Sequence, residues 1–348
     1  MEVYAVIMAG GTGTRLWPLS TREKPKQTHR FLGDDTLFQE AVHRIKPLVG
    51  LDHVLVVAGN RIVEELGRQE PRIPEANFIV EPAGMGTAPC IGLAAVHVAK
   101  RSPGSVMVVL TADHHIGDVE GFHAALRTAV DAANNGHLVT LGVKPTEPST
   151  GYGYIEHGDP IDRVRGLGVL RVSRFTEKPD RATASEMVRS GRYSWNSGMF
   201  VWRVDRILEE FRSHMPELYD QLVVIGDAVG SSSYMEVLEA SWGQMPRETI
   251  DYGVMEKASD VVVVPVDIGW SDLGTWSSVM SLLPGDSDGN VVRGRHLGID
   301  TRNSLIFGGD RLIATVGVRD LIVVDTGEAL LICDKAQDQR VRDLVKML

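Results

Sequence analysis

The sequence predicts an α/β fold: a mostly parallel β-sheet with helices on both faces, followed by a small β-rich unit. Three observations predict it. Short apolar runs alternate with stretches of helical periodicity from Val3 to Val143. Those runs are apolar throughout, as strands buried on both faces must be. Beyond Pro284 the texture changes to closely spaced apolar runs broken by Gly, Asp and Asn.

Val3–Met8 is an apolar run that ends at Gly10-Gly11, so it reads as a strand entering a turn. Thr36 and Gln39 have capping-box spacing. Behind them Leu37, Ala41, Ile45 and Leu48 recur at helical spacing. Val54–Ala58 is a second strand and Phe78–Val80 a third. Thr87–Ala99 reads as a helix, because Pro89 falls where a first turn tolerates proline. Val106–Leu110 is an unbroken apolar strand. Gly121–Ala133 places Phe122, Leu126, Ala129 and Ala133 on one helical face, and Leu138–Val143 is again a strand. Strands alternating with helices read as βαβ units, hence a Rossmann-like sheet. Ligands of such sheets sit at the carboxyl ends of strands. Gly10 to Arg15, Glu81 and Asp113 all fall at such ends.

After the Asp286–Asn290 turn cluster come Leu305–Phe307, Leu312–Val316, Leu321–Val324 and Ala329–Cys333. Their even spacing predicts a β-solenoid-like unit, and Lys335–Leu348 is expected to close it as an amphipathic helix. The expected domains are therefore 1–284, catalytic, and 285–348, β-rich. A length of 348 residues suits one large and one small domain.

Composition excludes several classes. The formal charge is −10, with no basic stripe of the kind nucleic-acid binders carry. Phosphate substrates would then need a few specific Arg and Lys residues. Cys90 and Cys333 are the two cysteines, too few for a disulfide framework. No apolar run approaches the length of a membrane span, and the first residues lack the pattern of a signal peptide. A cytoplasmic protein is expected.

The strongest motif is Gly10-Gly11-Thr12-Gly13-Thr14-Arg15, followed by Leu16-Trp17-Pro18-Leu19 and Lys24-Pro25-Lys26. Glycines after a strand let backbone N–H groups approach a phosphate. Arg15 adds a charged fork and Lys26 a mobile charge. A P-loop would require Gly-Lys-Ser/Thr, which is absent from the sequence. A dinucleotide fingerprint would require Gly where Leu16 stands. A plain βα turn accounts for the glycines alone but not for Arg15 and Lys26.

This motif resembles the signature of the sugar-1-phosphate nucleotidyltransferases. The form with Trp17 and Pro25-Lys26-Gln27 resembles the mannose-1-phosphate guanylyltransferase branch, in the short form without an isomerase domain. The resemblance implies that Gly10, Gly11, Gly13 and Thr14 wrap a nucleoside triphosphate, with Arg15 and Lys26 as catalytic contacts to its phosphates. Thr111-Ala112-Asp113-His114 is similar to the family's Pro-Ala-Asp-His, which makes Asp113 a magnesium ligand. Gly151 to Ile155, with Gly153, matches a sugar segment. Phe175 to Pro179 matches another, in which Glu177 binds the sugar and Lys178 its phosphate. Trp195 to Phe200 supplies Asn196 as a polar reader. Ile250 to Lys257 and Gly269 to Gly274 complete the pattern, with Asp272 as second metal ligand. Glu81-Pro82 through Thr87-Ala88-Pro89-Cys90 matches the nucleotide-base segment, in which Glu81, Thr87 and Ala88 bind. One departure is Gly86, where the family carries Asn. The implied reaction joins GTP and mannose-1-phosphate to give GDP-mannose and pyrophosphate, with Mg2+ as cofactor. The implied partners are those small molecules, with no nucleic acid and no membrane; the texture of the short strands from about residue 285 separately suggests that they could pair with a second copy of the chain.

Plainer readings stand beside these. Asp113 and Asp272 also suit turns or N-caps, and Glu177-Lys178 suits a solvated ion pair. Trp195 and Trp202 read as packing residues and Cys90 as buried filler. His114 and His115 would point to opposite faces. Another nucleotide or sugar phosphate, or a regulatory protein that binds a sugar nucleotide without turnover, remain alternatives.

Overall fold

The computed structural model describes residues 1–11 and 13–348; Thr12 of the Gly-rich motif lies outside the described residues. In chain order the elements begin β1 (Val3–Met8), α1 (Leu37–Ile45), β2 (Val54–Gly59), α2 (Asn60–Gln69), β3 (Phe78–Glu81), α3 (Thr87–Arg101) and β4 (Val106–Thr111). There follow β5 (His115–Ile116), α4 (Val119–Asn134), β6 (Leu138–Val143), β7 (Tyr154–Val164), β8 (Leu167–Thr176), α5 (Arg181–Ser190) and β9 (Tyr193–Arg203). Next come α6 (Val204–His214), α7 (Pro216–Ala228), α8 (Tyr234–Trp242), β10 (Val261–Val266), β11 (Trp270–Ser271) and α9 (Trp276–Leu282). The chain closes with β12 (Val291–Arg293), β13 (His296–Ile299), β14 (Leu305–Phe307), β15 (Ile313–Val316), β16 (Leu321–Asp325), β17 (Leu330–Asp334) and α10 (Val341–Val345).

By compactness the chain forms two units. The first comprises Met1–Gly10, Ala41–Ala112 and Ile116–Trp270, and the second Gly11–Glu40, Asp113–His115 and Ser271–Leu348. Each is built from segments distant in sequence.

The first unit holds a nine-stranded sheet in the order β3-β2-β1-β4-β9-β6-β10-β8-β7. The pairings among β3, β2, β1 and β4, and between β6 and β10, are parallel. Strands β9 and β8 run against their neighbours. The sheet is thus mostly parallel, as its apolar strands required. Tyr4, Val6 and Met8 of β1 join one core with Ile91 of α3, Phe211 of α6 and Leu222 of α7. The alternate residues Ala5 and Ile7 are equally buried, and α4 packs against β4, β6, β9 and β10. Alternate side chains of a strand point to opposite faces, so both faces are covered. Strand β3 ends at Glu81 and β4 at Thr111, which delivers the site residues to carboxyl ends.

The second unit contains the solenoid. Strands β12, β14 and β16 stack in parallel, and β17 closes that sheet antiparallel. Strands β13 and β15 form a second parallel sheet. Its turns use Asp300, Asn303 and Asp320 in the left-handed region, which short polar side chains tolerate best after glycine. One apolar core joins Leu16, Phe31 and Leu37 with Leu273 and Trp276, and with Leu305, Ile322, Val324 and Val341. The expected capping box is present and reciprocal. Thr36 N–H donates to Gln39 Oε1 at 3.0 Å, and Gln39 N–H to Thr36 Oγ1 at 3.2 Å.

The C-terminal segment departs from the expected single helix. It forms a 3-10 turn, Lys335–Arg340, before α10. The physical reason is a tertiary partner. The buried Asp338 carboxylate accepts the Ser277 N–H at 3.0 Å, which fixes the turn where a straight amphipathic helix would carry Asp338 past. Among the described residues no helix is long and apolar enough to cross a membrane.

Candidate active site

In the second unit the Gly-rich loop leads into a short turn, Thr14–Leu16, capped by Gly13 with φ 57°. A Cβ on Gly13 would lie 2.9 Å from both Cβ and Cγ of Lys26. Glycine therefore serves two needs here, the left-handed backbone and the passage of the lysine stem. The Lys26 stem is buried. Its ammonium donates to the Asp272 carbonyl at 2.6 Å and pairs with Asp113 Oδ2 at 3.0 Å. Burial alone would raise the Asp113 pKa, but Lys26 and then His114 outweigh it and hold the carboxyl below its ordinary value. His114 Nε2 lies 3.8 Å from Asp113, whereas His115 Nδ1 lies 3.7 Å from Glu40. The adjacent histidines thus turn to different partners.

Asp272 Oδ1 accepts the Gly274 N–H at 3.0 Å. Leu273, between them, is buried with φ 47°, a costly conformation of the kind that persists where surrounding packing enforces it. Arg15 donates from Nη1 to Gln339 Oε1 at 3.1 Å. Lys26 therefore brings Asp113 and the Asp272 backbone to one ammonium. Among the described residues no group of three or more metal-ligating side chains is assembled. Asp113 offers its carboxylate beside this ammonium, whereas Asp272 meets it through its backbone carbonyl. A divalent cation such as magnesium takes one or two protein carboxylates and completes its shell with phosphate oxygens and water, so these aspartates are candidate ligands.

In the first unit, Gly10 lies against Glu81, whose Oε1 would be 3.6 Å from a Cβ placed there. Glu81 is buried, and burial pushes its carboxyl up to about 7. Gly86 precedes α3 with φ 97° and ψ 177°, a region open essentially to glycine alone. A Cβ there would stand 2.2 Å from the Glu248 carbonyl oxygen. That strand of chain is pinned across the helix start: Ala88 N–H donates to Glu248 O at 3.2 Å, Glu248 N–H to Met85 O at 3.0 Å, and Ile250 N–H to Thr87 Oγ1 at 2.9 Å. The departure from the family's Asn therefore has a steric cause. The Thr87 hydroxyl and the Ala88 N–H, expected to face a nucleotide, are each engaged within the chain.

The expected sugar-phosphate residues come together in the same unit. A Cβ on Gly153 would stand 2.5 Å from Glu177 Oε2, so only glycine leaves room for that carboxylate. Asn196 N–H donates to the Gly153 carbonyl at 2.8 Å. Its side-chain Nδ2 donates to Asp251 Oδ1 at 2.6 Å, and its Oδ1 accepts the Gly198 N–H at 3.1 Å. Both ends of the amide are thereby fixed. Lys178 pairs with Glu177 and has φ 44°. Burial raises the Asp251 pKa; the Asn196 hydrogen bond opposes this and the Glu177 charge adds to it. Asp251 opens a π-helical turn, Asp251–Met255, a feature frequent at functional sites.

Tyr152 stands edge-on to both Trp195 and Trp270, with centroids 4.9 Å and 5.3 Å away. Trp195 and Trp202 are buried, and Trp202 stacks on Phe200 at 5.3 Å, so both are packing residues. Cys90 is buried. Sequence reasoning did not single out Asp251 or Gln339. Asp251 lay inside a quoted motif, but a lone aspartate has no spacing that marks it. Gln339 had no signal at all.

A nucleotidyl transferase family model matches residues 4–288, and a model of the MannoseP isomerase/GMP-like beta-helix domain matches residues 294–348. The chain is 41% identical to mannose-1-phosphate guanylyltransferase of Escherichia coli (strain K12), over 100% of this chain and 73% of that one. It is 38% identical to the alginate biosynthesis protein AlgA of Pseudomonas putida, over 99% of this chain and 71% of that one. Among solved structures it resembles a protein described as mannose-1-phosphate geranyltransferase from Thermus thermophilus, with TM-score 0.89 and 35% identity, covering 100% of this chain and 99% of that one. With a family model over most of its length and relatives that match it along its whole length, the chain belongs to the nucleotidyl transferase family.

Proposed function

We propose that this protein transfers the guanylyl group of GTP to mannose-1-phosphate, giving GDP-mannose and pyrophosphate. The observation that carries the reading is the meeting of the Lys26 ammonium with the Asp113 carboxylate and the Asp272 carbonyl, with Lys26 following the Gly-rich loop that also carries Arg15. The relatives named for this reaction support the substrate pair.

The chemistry is an in-line displacement. A phosphate oxygen of the sugar phosphate forms a new bond to the α-phosphorus of GTP, and the α–β bridging bond breaks as pyrophosphate leaves. The attacking oxygen is already anionic near neutral pH, so no general base is required. Repulsion between two polyanions is the obstacle, and positioning with electrostatic stabilisation removes it. Lys26 and Arg15 supply positive charge to the triphosphate and to the departing pyrophosphate. Gly10, Gly11, Gly13 and Thr14 give it close backbone approach. Asp113 and Asp272 would hold Mg2+, which when bound neutralises and orients phosphate oxygens. Glu81, as carboxylate, accepts from guanine N1–H and N2–H2, a donor pair that adenine lacks. Lys178 holds the incoming sugar phosphate, while Glu177 and Asn196 read sugar hydroxyls beside Gly153.

The same reading extends to setting and assembly. The free cysteines and phosphorylated substrates suit the cytoplasm. Leu297, Ile299 and Val316 are 63%, 59% and 70% exposed on the β13–β15 sheet. Such an apolar face suits a second copy of the chain; light scattering that reports only monomer would remove this part.

Pyrophosphate release tests the reaction, with four nucleoside triphosphates crossed with mannose-1-phosphate and glucose-1-phosphate in magnesium. Release confined to GTP with mannose-1-phosphate is expected. Release with another pair would move the substrate and keep the mechanism. Absence of release with any pair would sink the enzymatic reading.

A further inference from the structure

We infer that Gln339, in the C-terminal turn, is a positioning residue for Arg15 and that its neutrality matters for binding the nucleoside triphosphate. The inference rests on the reading of Arg15 as a triphosphate contact.

Arg15 sits on a three-residue turn reached through glycines in left-handed conformations, Gly11 at φ 92° and Gly13 at φ 57°. Such a segment does little by itself to fix a long side chain. Gln339 supplies a partner, accepting from Arg15 Nη1 at 3.1 Å. The turn that carries Gln339 is itself anchored. Its neighbour Asp338 is buried and accepts the Ser277 N–H at 3.0 Å, and the Lys335 carbonyl accepts the Ser277 hydroxyl at 3.3 Å. Ser277 belongs to α9, which follows the Asp272 loop directly. Trp276 of α9 donates from Nε1 to the Trp17 carbonyl at 3.0 Å. Val341, just past Gln339, is buried in the core that holds Leu16, beside Arg15, and Leu273, beside Asp272. One turn thus braces the arginine loop and the aspartate loop together.

The chemistry of the partner is the informative part. A guanidinium held by a carboxylate has its charge largely offset, and a polyanion must then displace an ion pair. An amide oxygen orients the fork and leaves the positive charge and the remaining N–H donors for phosphate. A purely structural contact would tolerate a carboxylate at least as well, since charge-assisted hydrogen bonds are the stronger kind.

The test uses the full chain and compares Gln339→Ala, Gln339→Glu, Arg15→Ala and the Arg15→Ala/Gln339→Glu double variant. Gln339 is exposed, so the variants should keep the wild-type melting temperature. Gln339→Ala is expected to raise the KM for GTP about threefold by loosening Arg15. Gln339→Glu should raise it about tenfold, with a penalty that shrinks as salt rises. The KM for mannose-1-phosphate should stay within about twofold, the scatter expected of a surface change remote in effect. In the Arg15→Ala background the glutamate should have no further effect. Unchanged GTP kinetics in Gln339→Glu, with Arg15→Ala impaired, would overturn this inference and leave the function intact. Unchanged kinetics in Arg15→Ala would overturn the role of Arg15 and this inference together. A glutamate penalty that persists without Arg15 would also overturn it, because the effect would then not pass through the arginine.

Discussion

The cluster proposed to bind phosphate and the cluster proposed to bind sugar use opposite electrostatic strategies. At the first, cationic side chains rest on partners within the chain: Lys26 on Asp113 and the Asp272 carbonyl, Arg15 on Gln339. At the second, half-buried carboxylates surround an amide: Glu177 against Gly153, and Asp251 against Asn196. The difference suits the ligands proposed for them. A triphosphate is a concentrated polyanion, so its site needs mobile positive charge that can leave one partner for another. A sugar is neutral and polar, so its site needs acceptors fixed in direction. Their removal from water strengthens each hydrogen bond but penalises any left unmade.

Breaking each end should therefore give different kinetics. The largest effect is expected from Lys26→Ala. Loss of one preorganised electrostatic donor should lower kcat about 10²–10³-fold, roughly 2.7–4 kcal/mol; near-full turnover in a stopped assay would remove Lys26 from the mechanism. Asp272→Asn comes next. The magnesium concentration for half-maximal rate should rise about 10–100-fold, and an unchanged magnesium titration would count against the ligand assignment.

Glu81 sharpens the comparison, because in the proposed reading it is an acidic group that meets the base rather than the phosphates. Its carboxyl is pushed up to about 7 by burial, and the ionised form is the acceptor. The rate at low GTP should climb as pH rises through 7, and Glu81→Gln should flatten that climb. The variant should also lose about tenfold of the preference for GTP over ATP, within the range for a bidentate base contact. The stability effect has the opposite sign. Between the unfolded value of 4.5 and about 7 the folded state holds the proton more tightly, so Glu81 lowers stability as pH rises across that window. Urea unfolding should show Glu81→Gln more stable than the parent at pH 8 and equal to it near pH 4. His97 opposes this in the parent. Burial lowers its pKa to about 4, so its share of stability is present above 6.5 and is lost as pH falls toward 4.

The smallest effect is expected at the proposed sugar cluster. Asp251→Ala frees one end of the Asn196 amide, a loss of about 1 kcal/mol. The KM for mannose-1-phosphate should rise about fivefold, with that for GTP unchanged. A matching rise in both would mean that Asp251 supports the fold rather than the sugar site.

Legibility in the sequence followed the range of each interaction. Strands β1 to β4 and β6 fall where apolar runs marked them, because burial on both faces of a sheet leaves a local, continuous signature. The capping box at Thr36 and Gln39 was readable because both partners lie within one turn. Lys26 stood out as a cation beside the Gly-rich loop, whereas the metal-ligand reading of Asp113 and Asp272 came through motif resemblance and not through any local pattern. Gly86 was visible only as an irregularity. Its cause, the Glu248 carbonyl 2.2 Å from where a Cβ would stand, comes from a segment far along the chain. The C-terminal helix was misjudged for the same reason, since amphipathic spacing does not report that Asp338 has a partner in α9.

By itself, then, the sequence determined the alternation of strands and helices, the β-rich texture of the C-terminal region, and the glycine-rich loop with its two cations. These depend on backbone preferences and on hydrophobic periodicity, which act over a few residues. Only the tertiary structure decided which groups meet: Lys26 with Asp113, Asn196 with Asp251, and Arg15 with Gln339. A hydrogen bond has a reach of about 3 Å, and no local pattern reports which distant residue packing will bring within it.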